Sequence, residues 1–63
     1  MDLLMEIETY LHRTGVSPTA FGRRAVNDPR LVLDMRRGRR PKPHTIERVS
    51  AIIHPAARAE WHS

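Results

Sequence analysis

The sequence predicts an all-α protein, a compact bundle of four or five helices, and three observations lead to this prediction. Apolar residues recur every three or four positions, and no stretch shows the alternation of a β-strand. Prolines next to capping residues, and single glycines, mark where helices begin and end. The 63 residues include no cysteine, so neither disulfides nor thiolate zinc sites can support another small fold. We expect one domain over residues 1–63, with residues 55–63 as a C-terminal extension.

The first helix is predicted near residues 2–14. Asp2 can cap its N-terminus through its carboxylate. Ile7 and Leu11 lie four positions apart, with further leucines at helical spacing on the same side. Gly15 can adopt the left-handed conformation that often follows the last turn of a helix. The sequence therefore predicts a helix that buries one side.

The second helix is predicted near residues 18–26. Ser17 precedes a proline, an arrangement typical of a helix N-terminus. Phe21 and Ala25 form its apolar face, again four positions apart. Asn27 is the expected end, because asparagine tolerates a positive φ better than most residues.

The third helix is predicted near residues 29–37. Asp28 and the proline after it repeat the arrangement of a cap followed by proline. Gly38 is expected to end this helix. The apolar residues Leu31, Val32 and Met35 lie on one side, and the charged residues Arg30, Asp34 and Arg37 lie on the other.

The fourth helix is predicted near residues 45–54, after a basic loop over residues 39–43 that contains two prolines. Its β-branched residues lower helix propensity, so it should depend on tertiary packing. A proline at position 55 interrupts the pattern, and residues 56–61 have the composition of a short fifth helix. The apolar face of the fourth helix comprises Ile46, Val49, Ile52 and Ile53.

The short break between the second and third helices predicts a helix-turn-helix. The break at Asn27 and Asp28 leaves no room for an antiparallel hairpin, so the two helices should cross at a large angle. Gly22 lies inside the second helix, where glycine costs about 1 kcal/mol relative to alanine. Close approach of the crossing helix would explain this glycine; a tolerated exposed glycine is the alternative.

Positive charge is concentrated in the middle of the chain. The formal net charge is +4 and the isoelectric point is near 11.1. Residues 17–42 contain eight Arg and Lys residues and two Asp residues, whereas residues 1–16 contain more acidic than basic groups. One cationic face for a polyanion would explain this distribution, and so would a solvated basic surface.

Several classes of function find no support in the sequence. No apolar run approaches the roughly 20 residues of a membrane span, and the acidic first residues are unlike a signal peptide. No glycine-rich phosphate loop is present, and the serines have no recognisable base and orienting acid. We therefore expect a cytoplasmic protein, associated with the nucleoid, that is not an enzyme and has no cofactor. We also expect no metal site, because no two histidines are four positions apart. The four histidines are His12, His44, His54 and His62.

A set of features occurs in one register between positions 17 and 53. A capping serine precedes a short helix that contains an apolar residue followed by glycine, and a second short helix has its own buried positions. A glycine, a basic loop and a proline then lead to the apolar face of another helix. The residues are Ser17, Phe21, Gly22, Ala25, Val32, Met35, Gly38, Pro43, Ile46, Val49, Ile52 and Ile53. In this combination the chain resembles the phage repressor and Cro-like helix-turn-helix domains.

The sequence departs from the family pattern at two positions. Val26 stands where the family usually has glycine, so the positive φ of the turn should pass to Asn27. Pro29 lies near the start of the recognition helix, where polar residues that read bases are usual.

The resemblance implies double-stranded DNA as the partner, with the third helix in the major groove. Base contacts are then expected from Arg30, Leu33 and Asp34, although Asp34 could instead hold Arg30 and Arg37 in position. It also implies a homodimer on two half-sites as one way to increase selectivity. The expected contacts to the DNA backbone are Asn27, Arg37, Arg39, Arg40 and Lys42.

The functional hypothesis from the sequence is a small bacterial or phage transcriptional regulator that binds specific DNA. One alternative is a helical protein interaction module, such as an antitoxin or a phage adaptor, whose basic face meets an acidic protein. Another is an RNA-binding protein that uses the same face. Trp61 either packs on its own chain near Ile52 and Ile53 or crosses a dimer axis.

Overall fold

The computed structural model describes residues 2–55, which contain four helices and no strand. The helices are α1 (Leu3–Thr14), α2 (Pro18–Val26), α3 (Leu31–Arg36) and α4 (Pro43–Ile53). None of the helices in this range is long and apolar enough to cross a membrane. The predicted all-α bundle is confirmed. The predicted fifth helix over 56–61 and the position of Trp61 lie outside the described residues.

The predicted ends of α1 and α2 are confirmed in detail. The Asp2 carboxylate accepts a hydrogen bond from the Leu4 N–H at 3.0 Å, and the Ser17 hydroxyl oxygen accepts one from the Ala20 N–H at 3.1 Å. Asn27 has a φ of 57°, so the left-handed residue of the turn follows Val26 as expected. Its N–H donates to the Arg23 carbonyl oxygen at 2.9 Å and closes the last turn of α2.

Helix α3 is shorter than predicted, because residues 28–30 form a turn. The Asp28 carboxylate accepts from the Arg30 N–H at 3.0 Å, while the Asp28 carbonyl oxygen accepts from the Leu31 N–H at 3.2 Å. Asp28 therefore organises a turn over Pro29 and does not cap a helix that begins there. The third helix starts at Leu31, not at residue 29.

Helix α4 begins earlier than predicted. Pro43 is its first residue, where the missing N–H costs nothing and the fixed φ of proline suits a helix. The Ile46 N–H donates to the Lys42 carbonyl oxygen at 3.0 Å, so the first turn already contains the second proline of the basic loop. The prediction that the helix starts at residue 45 is wrong by one half-turn.

The four helices enclose one core. Helix α2 packs on α3 and α4, and α1 packs on the same two helices. The rings of Tyr10 and Phe21 lie 5.6 Å apart, between α1 and α2. The buried hydrophobic residues are Ile7, Leu11, Phe21, Ala25, Leu31, Val32, Met35 and Val49.

The face that α4 buries differs from the prediction at two positions. Thr45 is 8% exposed and belongs to the buried side together with Val49. Ile46, predicted on the apolar face, is 40% exposed. It borders an open groove beside Leu4 and Met35, so no helix covers it fully.

Gly22 lies where α2 meets the following turn. A Cβ atom at this position would overlap the Asp28 carbonyl oxygen and would lie 3.3 Å from the Leu31 Cβ. The predicted close approach is confirmed, and the neighbour is the backbone of the turn as well as the first residue of α3. Because backbone cannot rotate away as a side chain can, this contact fixes how α3 leaves α2.

Candidate nucleic-acid interface

One side of α3 and its two flanking residues face solvent. Arg30, Leu33, Asp34 and Arg37 have the spacing of one helical face. Leu33 is 41% exposed, although it is apolar. The opposite side carries the core residues Leu31, Val32 and Met35. We call the four residues 30, 33, 34 and 37 the exposed face of α3.

Arg39 contacts the two acidic residues at this surface, Asp28 and Asp34. Its Nη1 donates to the Asp28 carboxylate at 2.8 Å and to the Asp34 carboxylate at 3.3 Å. The hydrogen bond from Arg39, with a smaller contribution from the Arg30 N–H, holds the pKa of Asp28 below its ordinary value. The same bond raises the pKa of Arg39. Asp34 therefore contacts Arg39, and not Arg30 or Arg37 as the sequence suggested.

Other basic side chains around α3 remain available. Arg30, Arg37, Arg40 and Lys42 are exposed, and none forms an ion pair with an acidic residue within positions 2–55. Two of them flank α3, and the other two lie in the loop that leads to α4. This distribution leaves uncompensated positive charge on the α3 side of the molecule.

The remaining predicted residues lie at the edges of this surface. Asn27 is exposed at the end of α2, where its backbone forms the turn. Arg40 lies at the far edge, where the loop borders the start of α1 across an open groove of about 490 Å³. The structure thus brings Arg30, Leu33 and Arg37 onto one face, with Asn27 and the loop cations around it.

Arg36 has a role that the sequence did not suggest. Its guanidinium binds the Glu8 carboxylate through two hydrogen bonds of 2.7 and 2.8 Å, so it joins α3 to α1. It points away from the exposed face of α3, toward the first helix. Glu8 and Arg36 are 28 positions apart in the sequence, and only the packing of the two helices makes them partners.

The pair of Arg36 and Glu8 predicts a small loss of stability in acid. The hydrogen bond from Arg36 lowers the pKa of Glu8 below its ordinary value. A carboxylate with a lowered folded pKa stabilises the fold above its unfolded pKa, and this contribution is lost as the pH falls through the folded value. Because both side chains are more than one third exposed, solvent screens the pair and the effect should be small.

The measurement is thermal unfolding of the native chain and of the Glu8→Gln variant between pH 7 and pH 3. At pH 7 the variant should melt slightly below the native chain, and the difference should shrink below about pH 4.5 as Glu8 is protonated. Glu47→Gln provides the control, since Glu47 is exposed on α4 and forms no ion pair among residues 2–55. An unchanged difference down to pH 3 would contradict the role given to the pair.

A second contact joins the first turns of α1 to the end of α4. The His54 Nε2 lies 2.6 Å from a Glu6 carboxylate oxygen, between the end of α4 and the start of α1. Within residues 2–55 no three His, Asp or Glu side chains are grouped as metal ligands would be.

No family model matches the sequence, and no curated protein and no solved structure matches it.

Proposed function

We propose that the chain binds double-stranded DNA with the exposed face of α3 in the major groove and acts as a small transcriptional regulator. One observation carries the proposal. The α3 helix buries its apolar side and follows α2 after a short turn, and the two arginines that flank it, Arg30 and Arg37, are exposed and have no acidic partner within residues 2–55. A short helix with exposed cations on both sides, held by a compact bundle, is what groove recognition needs.

The dimensions of α3 suit this role. Six residues at about 1.5 Å each give a length of about 9 Å, and a helix with side chains is roughly 10–12 Å wide. The major groove of B-DNA, about 12 Å wide, accepts such a helix. The guanidinium of Arg30 can donate two hydrogen bonds to O6 and N7 of guanine, and Leu33 can contact the methyl group of thymine.

The acidic residues near α3 are compatible with this proposal because Arg39 pairs with both of them. Asp28 and Asp34 would repel phosphates if they were unpaired, and both contact Arg39. In this proposal Arg39 acts as a positioning residue that offsets part of the charge of the two carboxylates. The phosphate contacts then come mainly from Arg37, Arg40 and Lys42, with the Asn27 side chain as a neutral donor.

Removing one of these charges should change the salt dependence of binding. The Arg37→Gln variant should bind every DNA duplex more weakly, and the slope of log K against log salt should become shallower by about 0.9. The measurement is fluorescence anisotropy of a labelled duplex across a salt series. Arg48→Gln is the matched control, because it removes the same charge from an exposed position on α4. Equal slopes for the native chain and the Arg37→Gln variant would exclude Arg37 as a phosphate contact.

The same titration tests the alternatives. Duplex DNA should bind more tightly than duplex RNA, because the major groove of A-form RNA is too narrow for a helix. Equal or tighter binding of RNA would contradict the proposal in favour of an RNA-binding protein. Absence of binding to both duplexes at low salt would contradict it in favour of a protein interaction module.

A further inference from the structure

The outer side of α1 carries a second surface that the proposed DNA interface does not use. It consists of Asp2, Met5, Glu6, Thr9, Tyr10 and Arg13, which line one open groove of about 370 Å³. Ile53 and His54, at the end of α4, form the opposite wall. Their spacing along α1 places the six residues on one side, away from the buried Ile7 and Leu11. We call these six residues the α1 stripe.

Two large side chains near the middle of the α1 stripe, Met5 and Tyr10, leave apolar surface in contact with water. Met5 is 66% exposed, more than any other large hydrophobic residue in the described chain. The Thr9 hydroxyl already donates to the Met5 carbonyl oxygen at 2.9 Å, so covering it leaves no donor unpaired. Tyr10 is only half-buried, since its ring contacts Phe21 on one side. Covering Met5 and Tyr10 would remove apolar surface from water.

The charges of the α1 stripe change sign along the helix. Asp2 lies at the N-terminal end, and Arg13 lies at the C-terminal end, 6.0 Å from the centre of the Tyr10 ring. Glu6, near the middle of the stripe, already contacts His54 of its own chain at 2.6 Å. A surface with opposite charges at its two ends complements an identical surface that runs in the opposite direction. Two-fold symmetry produces this arrangement, because the same patch then meets itself in reverse.

We propose that the α1 stripe is the contact between two copies of this chain, which pack α1 against α1 in antiparallel fashion. With the two-fold axis beside the middle of α1, Asp2 faces the partner's Arg13 and Met5 faces the partner's Tyr10. Glu6 then faces the partner's Thr9. Ion pairs form at both ends, and the thioether of Met5 meets an aromatic ring, which is a favourable contact.

This dimer leaves the DNA interface free. The α1 stripe shares no residue with the exposed face of α3, so the inference stands whether or not the chain binds DNA. A contact made mainly by one pair of short helices belongs to the small interface class, below about 1,200 Å² of buried surface. We therefore expect a weak dimer that forms at high protein concentration.

The first experiment is sedimentation equilibrium of the full chain without DNA. The native chain should show a reversible dimer at high micromolar concentration, and Met5→Glu should weaken it at least tenfold. Arg13→Glu, which places a carboxylate opposite the partner's Asp2, should weaken it by a similar factor. Leu33→Glu is the matched control, because it makes the same kind of change on the exposed face of α3 and should leave the dimer intact. Circular dichroism checks that all variants stay helical.

The second experiment locates the axis by crosslinking. The chain has no cysteine, so one thiol can be introduced at a time. Thr9→Cys should form a disulfide-linked dimer rapidly under mild oxidation, because residue 9 lies close to the proposed axis. Thr19→Cys, on the exposed side of α2, should crosslink slowly, and adding Met5→Glu should slow the Thr9→Cys reaction.

Three results would overturn the inference. A chain that stays monomeric at the highest concentration would do so. A dimer equally sensitive to Leu33→Glu would place the contact elsewhere. Equal crosslinking of Thr9→Cys and Thr19→Cys would exclude the proposed axis.

Discussion

Replacing Gly22 with alanine is expected to lower the free energy of unfolding by about 2–3 kcal/mol. The added Cβ overlaps the Asp28 carbonyl oxygen, so the turn between α2 and α3 must move. Alanine favours a helix by about 1 kcal/mol over glycine, which offsets only part of this effect. A chain of this length has a total stability of roughly 3–9 kcal/mol, so the variant should unfold at a much lower urea concentration.

The same substitution at Gly15 separates the steric effect from the backbone effect. Gly15 has a φ of 76°, and a Cβ atom there would meet nothing within 4 Å. Gly15→Ala should therefore cost only about 1–2 kcal/mol, from the left-handed backbone alone. Urea unfolding of both variants gives the comparison. A Gly22→Ala variant as stable as the native chain would show that the turn can shift without cost.

Replacing Arg39 with glutamine should weaken DNA binding more than the loss of any other single positive charge on this side of the molecule. The variant loses one cation and also leaves Asp28 and Asp34 uncompensated beside the DNA. Repulsion between these carboxylates and phosphates should reduce affinity about 100-fold at low salt, against about tenfold for Arg37→Gln. Anisotropy titrations of the same duplex compare the two variants.

A rescue experiment identifies the cause. Adding Asp28→Asn and Asp34→Asn to the Arg39→Gln variant should restore most of the lost affinity, because the repulsive charges disappear. Asparagine at position 28 keeps a side-chain oxygen that can accept from the Arg30 N–H, so the turn before α3 is preserved. If affinity does not recover, Arg39 is an ordinary phosphate contact and not a positioning residue.

Local signals in the sequence predicted most of the fold, because they act within one turn of the chain. The caps at Asp2 and Ser17, and the left-handed residue at Asn27, depend on neighbouring backbone groups alone and were predicted correctly. The apolar spacing predicted the core of the first three helices for the same reason, but on α4 it missed the buried Thr45 and included the exposed Ile46. The predicted start of α3 was wrong. Asp28 followed by proline is compatible both with a helix cap and with a turn, and the local sequence does not distinguish between them.

The candidate site was predicted only in part. The spacing of Arg30, Leu33 and Arg37 predicted one side of a helix; all three are exposed, but the first and last of them flank α3 and are not part of it. The predicted partners of the Asp34 side chain were wrong. Its partner, Arg39, lies after Gly38, and only the course of the loop brings it near Asp34. Contacts with DNA remain predictions for every one of these residues.

The sequence by itself determined that the chain is helical, where α1 and α2 begin and end, and which residues of the first three helices form the core. These properties follow from capping groups and from periodicity, which depend on residues at most four positions apart. Only the tertiary structure decided which charges are compensated. Glu8 and Arg36 are separated by 28 positions, and Asp28 and Arg39 by 11, so no local pattern relates them. Ion pairs of this kind form after packing has brought the helices together, and they decide which arginines remain available to a partner.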